Sequence, residues 1–86
     1  MAASEFDIKV TFYSYFKDIT GCPNVTVTLA CGSRIQELLA KLYEQFPKLS
    51  AMKNSTLVAV GVEYQGKDYV LKPGDEVSLF PPVQGG

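Results

Sequence analysis

Residues 76–86 read EVSLFPPVQGG, a short alternating run that is followed by two prolines, a two-residue spacer and two glycines. Alternation of apolar and polar residues is typical of a strand with one buried face. The aliphatic residues of this run are expected to point into a core, and Phe80 is expected to point outward beside the segment that follows. The stretch therefore predicts two parts, a folded domain of residues 1–80 and a flexible tail of residues 81–86.

The tail has the properties of a segment that threads into a narrow slot. Proline fixes φ near −65°, so two consecutive prolines favour a stiff, extended chain, and glycine carries no Cβ. Six residues at roughly 3.1–3.5 Å each would reach about 20 Å. The α-carboxylate of Gly86 is then the ionisable group of the tail and is charged at neutral pH, so it is the group that an activating enzyme would modify. The threading residues are Pro81, Pro82, Val83, Gln84 and Gly85. The alternative interpretation of residues 81–86 is a frayed chain end that is made of small residues and has no function.

Composition limits the classes of function. The chain has 86 residues, 47% of them hydrophobic, which is enough for one domain with one core. Eight basic and nine acidic side chains give a net charge of −1, which argues against nucleic acid or an anionic membrane as the main partner. No segment approaches eighteen apolar residues, and the first residues lack the pattern of a signal peptide, so we expect a cytoplasmic protein.

The chain supplies few groups for catalysis or metal binding. It has no histidine and only two cysteines, Cys22 and Cys31. A zinc site, a Cys/His pair or a Ser/His/Asp triad cannot be assembled from these residues. The spacing of the cysteines matches no redox or metal motif, so both are expected to be small, partly buried side chains. We expect no bound cofactor and no metal.

Two alternating runs at residues 6–13 and 24–29 predict a pair of strands. Residues 14–22 break the alternation and end in a turn signal, so the two strands are expected to form a hairpin with a wide connection. Tyr13 falls on the face opposite to the core. The predicted inward residues are Phe6, Ile8, Val10, Phe12, Val25, Val27 and Leu29.

One amphipathic helix is predicted at residues 34–46. Ser33, followed three residues later by Gln36, has the spacing of a capping box, and Pro47 ends the helix because it disfavours α geometry at the residue before it. Core packing is a better interpretation of its apolar stripe than ligand binding. The stripe consists of Ile35, Leu38, Leu39, Leu42 and Phe46.

Three more segments follow the helix. Residues 47–55 are expected to be a loop or a short helical turn. Residues 56–62 form a nearly unbroken apolar run, which predicts a strand whose second face is also partly apolar. Residues 69–71 are short and extended.

Turns separate these segments from each other and from the last strand. Residues 63–68 are turn-like, and residues 72–75 form a turn around adjacent Pro and Gly. Asp75 is expected to stabilise this turn, and Glu76 is expected to face outward.

The resulting order is β-β-α-β-(β)-β, which predicts an α+β domain with one main helix on one face of a mixed four- to five-stranded sheet. This is the order of a ubiquitin-like β-grasp fold. In that fold the first and last strands lie side by side in the middle of the sheet, so the tail would leave from a rigid element.

Residues 72–86, KPGDEVSLFPPVQGG, resemble the C-terminal signature of the MoaD/ThiS family of ubiquitin-like sulfur carriers. Residues 8–13 and 16–21 resemble it as well, so the resemblance spans nearly the whole chain. The Gly-Asp-Glu-Val stretch leading to Pro-Pro-Val-x-Gly-Gly is the specific part. Where the family has Val-Asn, this chain has Val60-Gly61.

The resemblance implies a carrier cycle. An E1-like adenylyltransferase would adenylate the Gly86 carboxylate with ATP in trans, and a sulfur donor protein would convert it to a thiocarboxylate. The large subunit of molybdopterin synthase would then use the sulfur to build a dithiolene, in an assembly of two small and two large subunits. The carrier would not be an enzyme by itself. Pro81-Pro82-Val83 favour this pathway over thiamine synthesis, tRNA thiolation or protein modification.

Four residues are candidates for binding partners. Tyr13, Tyr64 and Phe80 match positions that pack on partners in the family, and the strand phases place Tyr13 and Phe80 on the outer face, where apolar clusters mark interfaces. Lys17, next to Asp18, matches a charged position. Scattered surface aromatics and a solvated turn are the alternatives for these residues. For the whole chain, an interaction module with an inert tail is the alternative from another functional class.

Overall fold

The computed structural model describes residues 4–81, apart from the side chains of residues 52–55. Within that range the chain forms five strands, two α-helices and one 3₁₀ segment. The strands are β1 (Glu5–Phe12), β2 (Asn24–Ala30), β3 (Leu57–Val60), β4 (Glu63–Tyr64) and β5 (Glu76–Phe80). The helices are α1 (Tyr15–Thr20) and α2 (Ile35–Gln45), and the 3₁₀ segment is Pro47–Ser55.

The five strands form one mixed sheet with the order β2-β1-β5-β3-β4. The pair β1 and β5 is parallel, with Val10 beside Val77, whereas β2 and β3 flank this pair in antiparallel register. The prediction that the first and last strands are neighbours in the middle of the sheet is confirmed. A parallel pair needs a long crossover, and here most of the chain forms it.

The core lies between the sheet and α2. Along β1 the buried residues alternate with exposed ones, because successive side chains of a strand point to opposite faces. The predicted inward residues are buried, apart from Val25 and Phe46, which are partly buried against the core. The side chains that are at most 1% exposed and come from the sheet and α2 are Ile8, Val10, Phe12, Leu29, Ile35, Leu38, Leu42, Val77 and Leu79.

The connection between β1 and β2 contains a short helix that the sequence pattern did not predict. Helix α1 inserts Phe16 into the core, where its side chain is fully buried. Gly21 ends the helix with φ of 77° and donates its N–H to the carbonyl of Lys17 at 2.9 Å. Six residues are too few to show a helical period, so the sequence pattern could not reveal this helix, whose Ile19 also packs partly buried against the core.

The N-cap of α2 is Arg34, one residue after the predicted N-cap Ser33. The helix begins at Ile35, and the carboxylate of Glu37 accepts the backbone N–H of Arg34 at 2.6 Å. The predicted pair of Ser33 and Gln36 is therefore wrong. The hydrogen bond from Arg34 holds the pKa of Glu37 below its ordinary value, because it stabilises the charged carboxylate.

The extended segment at residues 69–71 pairs with the start of α2. Ile35 donates its N–H to the carbonyl of Tyr69 at 3.0 Å, and Leu71 donates to the carbonyl of Ser33 at 2.9 Å. Leu71 is buried. This segment therefore fixes the N-terminal end of the helix against the domain.

The third predicted strand ends earlier than expected. Val60 lies opposite Glu63, so Gly61 and Val62 form a two-residue hairpin loop, and Gly61 has φ of 64°. The prediction that Glu63 and Tyr64 belong to a turn is wrong, because they form β4. Glycine adopts positive φ without the steric cost of a Cβ, so Gly61 suits this position of the turn.

The turn before β5 is held by the side chain of Asp75. Its carboxylate accepts the N–H of Lys72 at 2.9 Å and the hydroxyl of Tyr69 at 3.2 Å. Lys72 Nζ donates to the same hydroxyl at 3.1 Å, and this contact raises the pKa of Lys72. The predicted role of Asp75 is confirmed, as is the exposure of Glu76.

Candidate functional site

The candidate site lies where the chain leaves the sheet at the end of β5. This strand occupies the middle of the sheet between β1 and β3, and Val77 and Leu79 anchor it in the core with exposed fractions of 0% and 1%. Pro81 follows directly and is the last described residue. The segment that begins here therefore follows a strand that is paired on both sides.

Three aromatic rings surround this exit point. The ring of Tyr13 stacks on that of Phe80, with 5.1 Å between centroids and 15° between planes. The ring of Tyr64 meets Phe80 nearly edge-on at 5.9 Å and 68°. Leu57 lies opposite Phe80 in the pairing of β3 with β5. We call Tyr13, Leu57, Tyr64 and Phe80 the aromatic patch.

Strand pairing determines the geometry of the patch. Tyr13 donates its backbone N–H to the carbonyl of Leu79 at 3.1 Å, which continues the pairing of β1 with β5 by one residue. Tyr64 lies opposite Ala59 across the hairpin. Residues that face each other across antiparallel strands share a face of the sheet, so four separate segments of sequence converge on the face that α2 does not cover.

The patch is accessible to a partner. Tyr13 is 46% exposed, Tyr64 is 67% exposed and Leu57 is 36% exposed, whereas Phe80 is half-buried among them. Exposed clusters of large apolar side chains mark interaction surfaces, and aromatic anchors at their centre contribute most of the binding energy. An exposed apolar surface therefore lies directly beside the exit of the chain.

The structure groups three of the four predicted partner-binding residues. The outward orientation of Tyr13 and Phe80 was predicted from strand phase, but their stacking on each other was not. Leu57 was not singled out, although the predicted apolar second face of its strand was the signal. Lys17 lies on α1, exposed and outside the patch as defined.

The predicted reactive end lies outside the described residues. This concerns Gly86 as the reactive group and Pro82, Val83, Gln84 and Gly85 as threading residues. Their roles remain predictions. The structure describes the chain as far as Pro81, together with the surface around Phe80.

Within residues 4–81, no group of three or more Cys, Asp or Glu side chains is arranged to hold a metal ion. Cys22 packs partly buried against the core as predicted, but Cys31 is exposed, so the prediction of partial burial is wrong for Cys31. Cys31 follows the end of β2 at the sheet edge. Neither helix in the described part of the chain is long and apolar enough to cross a membrane.

A mixed sheet with a parallel central pair, crossed on one face by a single main helix, defines the class of ubiquitin-like β-grasp domains. Residues 10–86 match the model of the ThiS family. The chain therefore belongs to the ThiS family.

Similar proteins of known name support the same assignment. The molybdopterin synthase sulfur carrier subunit of Chlamydomonas reinhardtii is 33% identical over 82 residues, which cover 92% of this chain and 98% of the relative. A Pyrococcus furiosus structure, provisionally described as molybdopterin converting factor, subunit 1, superposes with a TM-score of 0.83 at 26% identity and covers 91% of this chain and 99% of that one. A chain from the complex of subunits 1 and 2 of molybdopterin-converting factor from Helicobacter pylori superposes with a TM-score of 0.71 at 27% identity, over 94% and 100% of the two chains.

Proposed function

We propose that this chain is the sulfur-carrier subunit of a molybdopterin synthase and acts in the cytoplasm. The observation that carries the proposal is the aromatic patch around Phe80, directly before Pro81 and the sequence PPVQGG. The names of the similar proteins and the Helicobacter pylori complex of two subunits support it. In this interpretation the patch docks on the large subunit, and the tail then enters that subunit's active site.

The chemistry takes place on the carboxylate of Gly86. An E1-like adenylyltransferase joins this carboxylate to AMP, and pyrophosphate leaves ATP. The outer sulfur of a persulfide on a donor protein then attacks the acyl carbon and displaces AMP, which gives an acyl disulfide between the two proteins. A second thiol attacks the donor's sulfur of this disulfide, so that the thiocarboxylate leaves on Gly86 and the donor's sulfur ends in a disulfide with that thiol. The thiocarboxylate sulfur is nucleophilic, and glycine leaves the acyl carbon accessible because it has no side chain.

The division of work between the subunits follows from the residues. The described part of this chain provides a rigid scaffold and a binding surface, and the acid, base and substrate-binding groups are expected on the large subunit. Each thiocarboxylate carries one sulfur, whereas a dithiolene contains two. Two sulfur deliveries are therefore needed for each product, either by two carrier chains or by one chain that is loaded twice, and an assembly of two small and two large subunits is proposed.

Intact mass spectrometry tests the proposal. The chain is incubated with its E1-like enzyme, ATP and the sulfur donor, and a carrier gains the mass of one sulfur in place of one oxygen. Deleting Gly86, or adding one residue after it, should abolish this change and leave the melting temperature unaltered. Sulfur loading of the extended variant would show that the carboxylate of Gly86 is not the required reactive group.

A second measurement separates the alternatives. The thiocarboxylated chain is mixed with the large subunit and a sulfur-free pterin precursor, and formation of the dithiolene is followed. Loading without dithiolene formation would indicate a carrier for thiamine, for tRNA thiolation or for protein modification. Absence of loading with an active E1-like enzyme would indicate an interaction module with an inert tail.

A further inference from the structure

Strand β2 forms one edge of the sheet, and the direction of its backbone groups follows from two hydrogen bonds. Cys31 donates its N–H to the carbonyl of Ser4 at 3.0 Å, and Phe12 donates to the carbonyl of Pro23 at 2.8 Å. Because hydrogen-bonded residues alternate along an antiparallel pair, the odd-numbered residues of β2 bond to β1. The N–H and C=O groups of Thr26 and Thr28 therefore point away from the sheet.

A groove of about 460 Å³ runs along this edge, between β2 and α2. Its residues are Thr26, Val27, Thr28, Lys41, Glu44 and Gln45. Lys41 Nζ donates to the outward carbonyl of Thr28 at 3.0 Å, which agrees with the direction deduced from the register. The groove therefore combines outward-facing backbone groups with charged side chains from the helix.

The sequence of β2 reads nearly the same in both directions about Val27. Residues 25–29 are Val-Thr-Val-Thr-Leu. If a second copy of the strand pairs antiparallel about a two-fold axis at Val27, Thr26 of one chain lies opposite Thr28 of the other. These are the residues whose backbone groups point outward, so both such pairs can exchange two hydrogen bonds.

The charges along the groove have the same symmetry. Lys41 contacts Thr28, and the chain enters α2 from the Ala30 end of β2, so Glu44, one turn further on, lies toward Thr26. The two-fold axis that places Thr28 opposite Thr26 also brings Lys41 of one chain toward Glu44 of the other. An isologous interface requires this kind of self-complementarity.

We infer that β2 is a homodimerisation edge, at which two copies of this chain join their sheets into one continuous ten-stranded sheet. Lys41 then exchanges its contact within the chain for Glu44 of the second copy. The carbonyl of Thr28 has two lone pairs, so it can accept a hydrogen bond from the second strand. The pairing uses the edge of β2, whereas the aromatic patch lies on the face of the sheet that α2 does not cover, around the end of β5. The patch therefore stays free, and the inference does not depend on the proposed function.

The dimer is expected to be weak, because pairing of edges buries little surface and association carries a large entropic cost. Its population should rise between about 10 µM and 1 mM, which sedimentation velocity can follow. Amide hydrogen exchange gives the residue-level readout. Exchange at Thr26 and Thr28 should slow with concentration, whereas exchange at Tyr64 on the opposite edge should not change.

A charge swap provides the main test. Both Lys41 and Glu44 are exposed on α2, so the variants should fold. In the single variants Lys41→Glu and Glu44→Lys, residue 41 of one chain meets residue 44 of the other with the same charge, at both contacts related by the two-fold axis. Each variant should raise the dimer dissociation constant by about tenfold. The double variant with both changes restores opposite charges and should recover the affinity.

A second variant tests the backbone pairing. Thr26→Pro removes an outward N–H, a change that an edge strand tolerates, and should abolish the dimer. Phe80→Ala should leave the dimer affinity unchanged. This result would distinguish pairing at the β2 edge from association through the aromatic patch.

Several results would overturn the inference. If the chain stays monomeric at about 1 mM, it does not use this edge for self-association. The same holds if a different protein, and not a second copy of this chain, slows exchange at the amides of Thr26 and Thr28. Dimers that persist in the Thr26→Pro variant would come from another surface. Tighter association on replacing Lys41 with Met would mean that Lys41 shields the edge, as lysines on edge strands commonly do.

Discussion

On the face of the sheet that α2 covers, Leu79 is 1% exposed, whereas its neighbour Phe80 lies on the other face and stacks on Tyr13, which is 46% exposed. The two side chains are adjacent in sequence and both are apolar. Leu79 contacts only the chain's own core. Phe80 takes part in a cluster that remains accessible to another molecule.

This difference shows that apolar character does not by itself indicate the role of a residue in this domain. Burial on the helix-covered face contributes folding free energy. Apolar surface that stays exposed on the open face contributes less to folding and remains available for binding. Substitutions of Leu79 and Phe80 test this separation directly. Ser14→Gly tests the backbone between the two regions, and Glu37→Gln tests a surface contact away from both, in order of decreasing expected change.

Leu79→Ala should lower the free energy of unfolding by about 2–5 kcal/mol, because it leaves a cavity in a core that the surrounding strands cannot fill. Chemical denaturation measures the loss. At a temperature where the variant remains folded, its affinity for the large subunit should match that of the unchanged chain. A small loss of stability would mean that this face of β5 is not part of the main core.

Phe80→Ala should have the opposite profile. It removes the central ring of the aromatic patch and should weaken binding to the large subunit by about 2 kcal/mol or more, roughly 30-fold. The two ring contacts that it loses are worth about 0.5–1.5 kcal/mol each, so the unfolding free energy should fall less than in Leu79→Ala. Isothermal titration calorimetry and denaturation give the two values. A large fall in stability with normal binding would assign Phe80 to the core.

Ser14 lies where the chain passes from the patch to the core, between exposed Tyr13 and buried Phe16. It has φ of 58° and ψ of −142°, and its side chain makes no capping hydrogen bond. Ser14→Gly should raise the unfolding free energy by roughly 1 kcal/mol, since relief of backbone strain exceeds the added entropy of the unfolded chain. Ser33→Gly, at a position without positive φ, is the matched control and should destabilise. Equal losses in both variants would show that Ser14 is not strained.

The smallest effect is expected at the start of α2. The N–H of Arg34 lowers the pKa of Glu37 in the folded chain. The charged Glu37 carboxylate therefore stabilises the fold fully above the ordinary glutamate pKa of about 4.3. This stabilisation is lost as the pH falls through the lowered pKa of the folded state. Glu37→Gln should therefore be slightly less stable at neutral pH and equal to the unchanged chain in acid. Glu44→Gln serves as control for the loss of one charge on the same helix. A difference that persists in acid would contradict the assignment.

The sequence predicted those parts of the fold that have a clear period. Residues 6–13 and 76–80 alternate, and residues 34–46 repeat every three to four positions, so β1, β5 and α2 were found with small errors at their ends. The errors occur where the pattern is too short to have a period. Helix α1 has six residues and β4 has two, and contacts with the rest of the domain determine their conformation.

The same limit applies to the site. Strand phase assigned Tyr13 and Phe80 to the outer face, and the resemblance added Tyr64. The phase of one strand does not give the register with its neighbours, so the contact between these rings and the participation of Leu57 could not be deduced. Partial burial of Cys31 was predicted from the average tendency of cysteine. Such an average does not give the exposure of one particular residue, and Cys31 is exposed.

The amino-acid sequence alone determined the β-grasp order, the core face of each long strand and the presence of a Pro-Pro-Val-Gln-Gly-Gly segment after the last of them, because these features depend on local periodicity and residue chemistry. The tertiary structure decided that four distant segments form one aromatic patch around Phe80, and that the outward groups of β2 share a groove with Lys41 and Glu44. Both results depend on strand order and register, which arise from packing across the whole sheet and are not encoded in any single stretch of the chain.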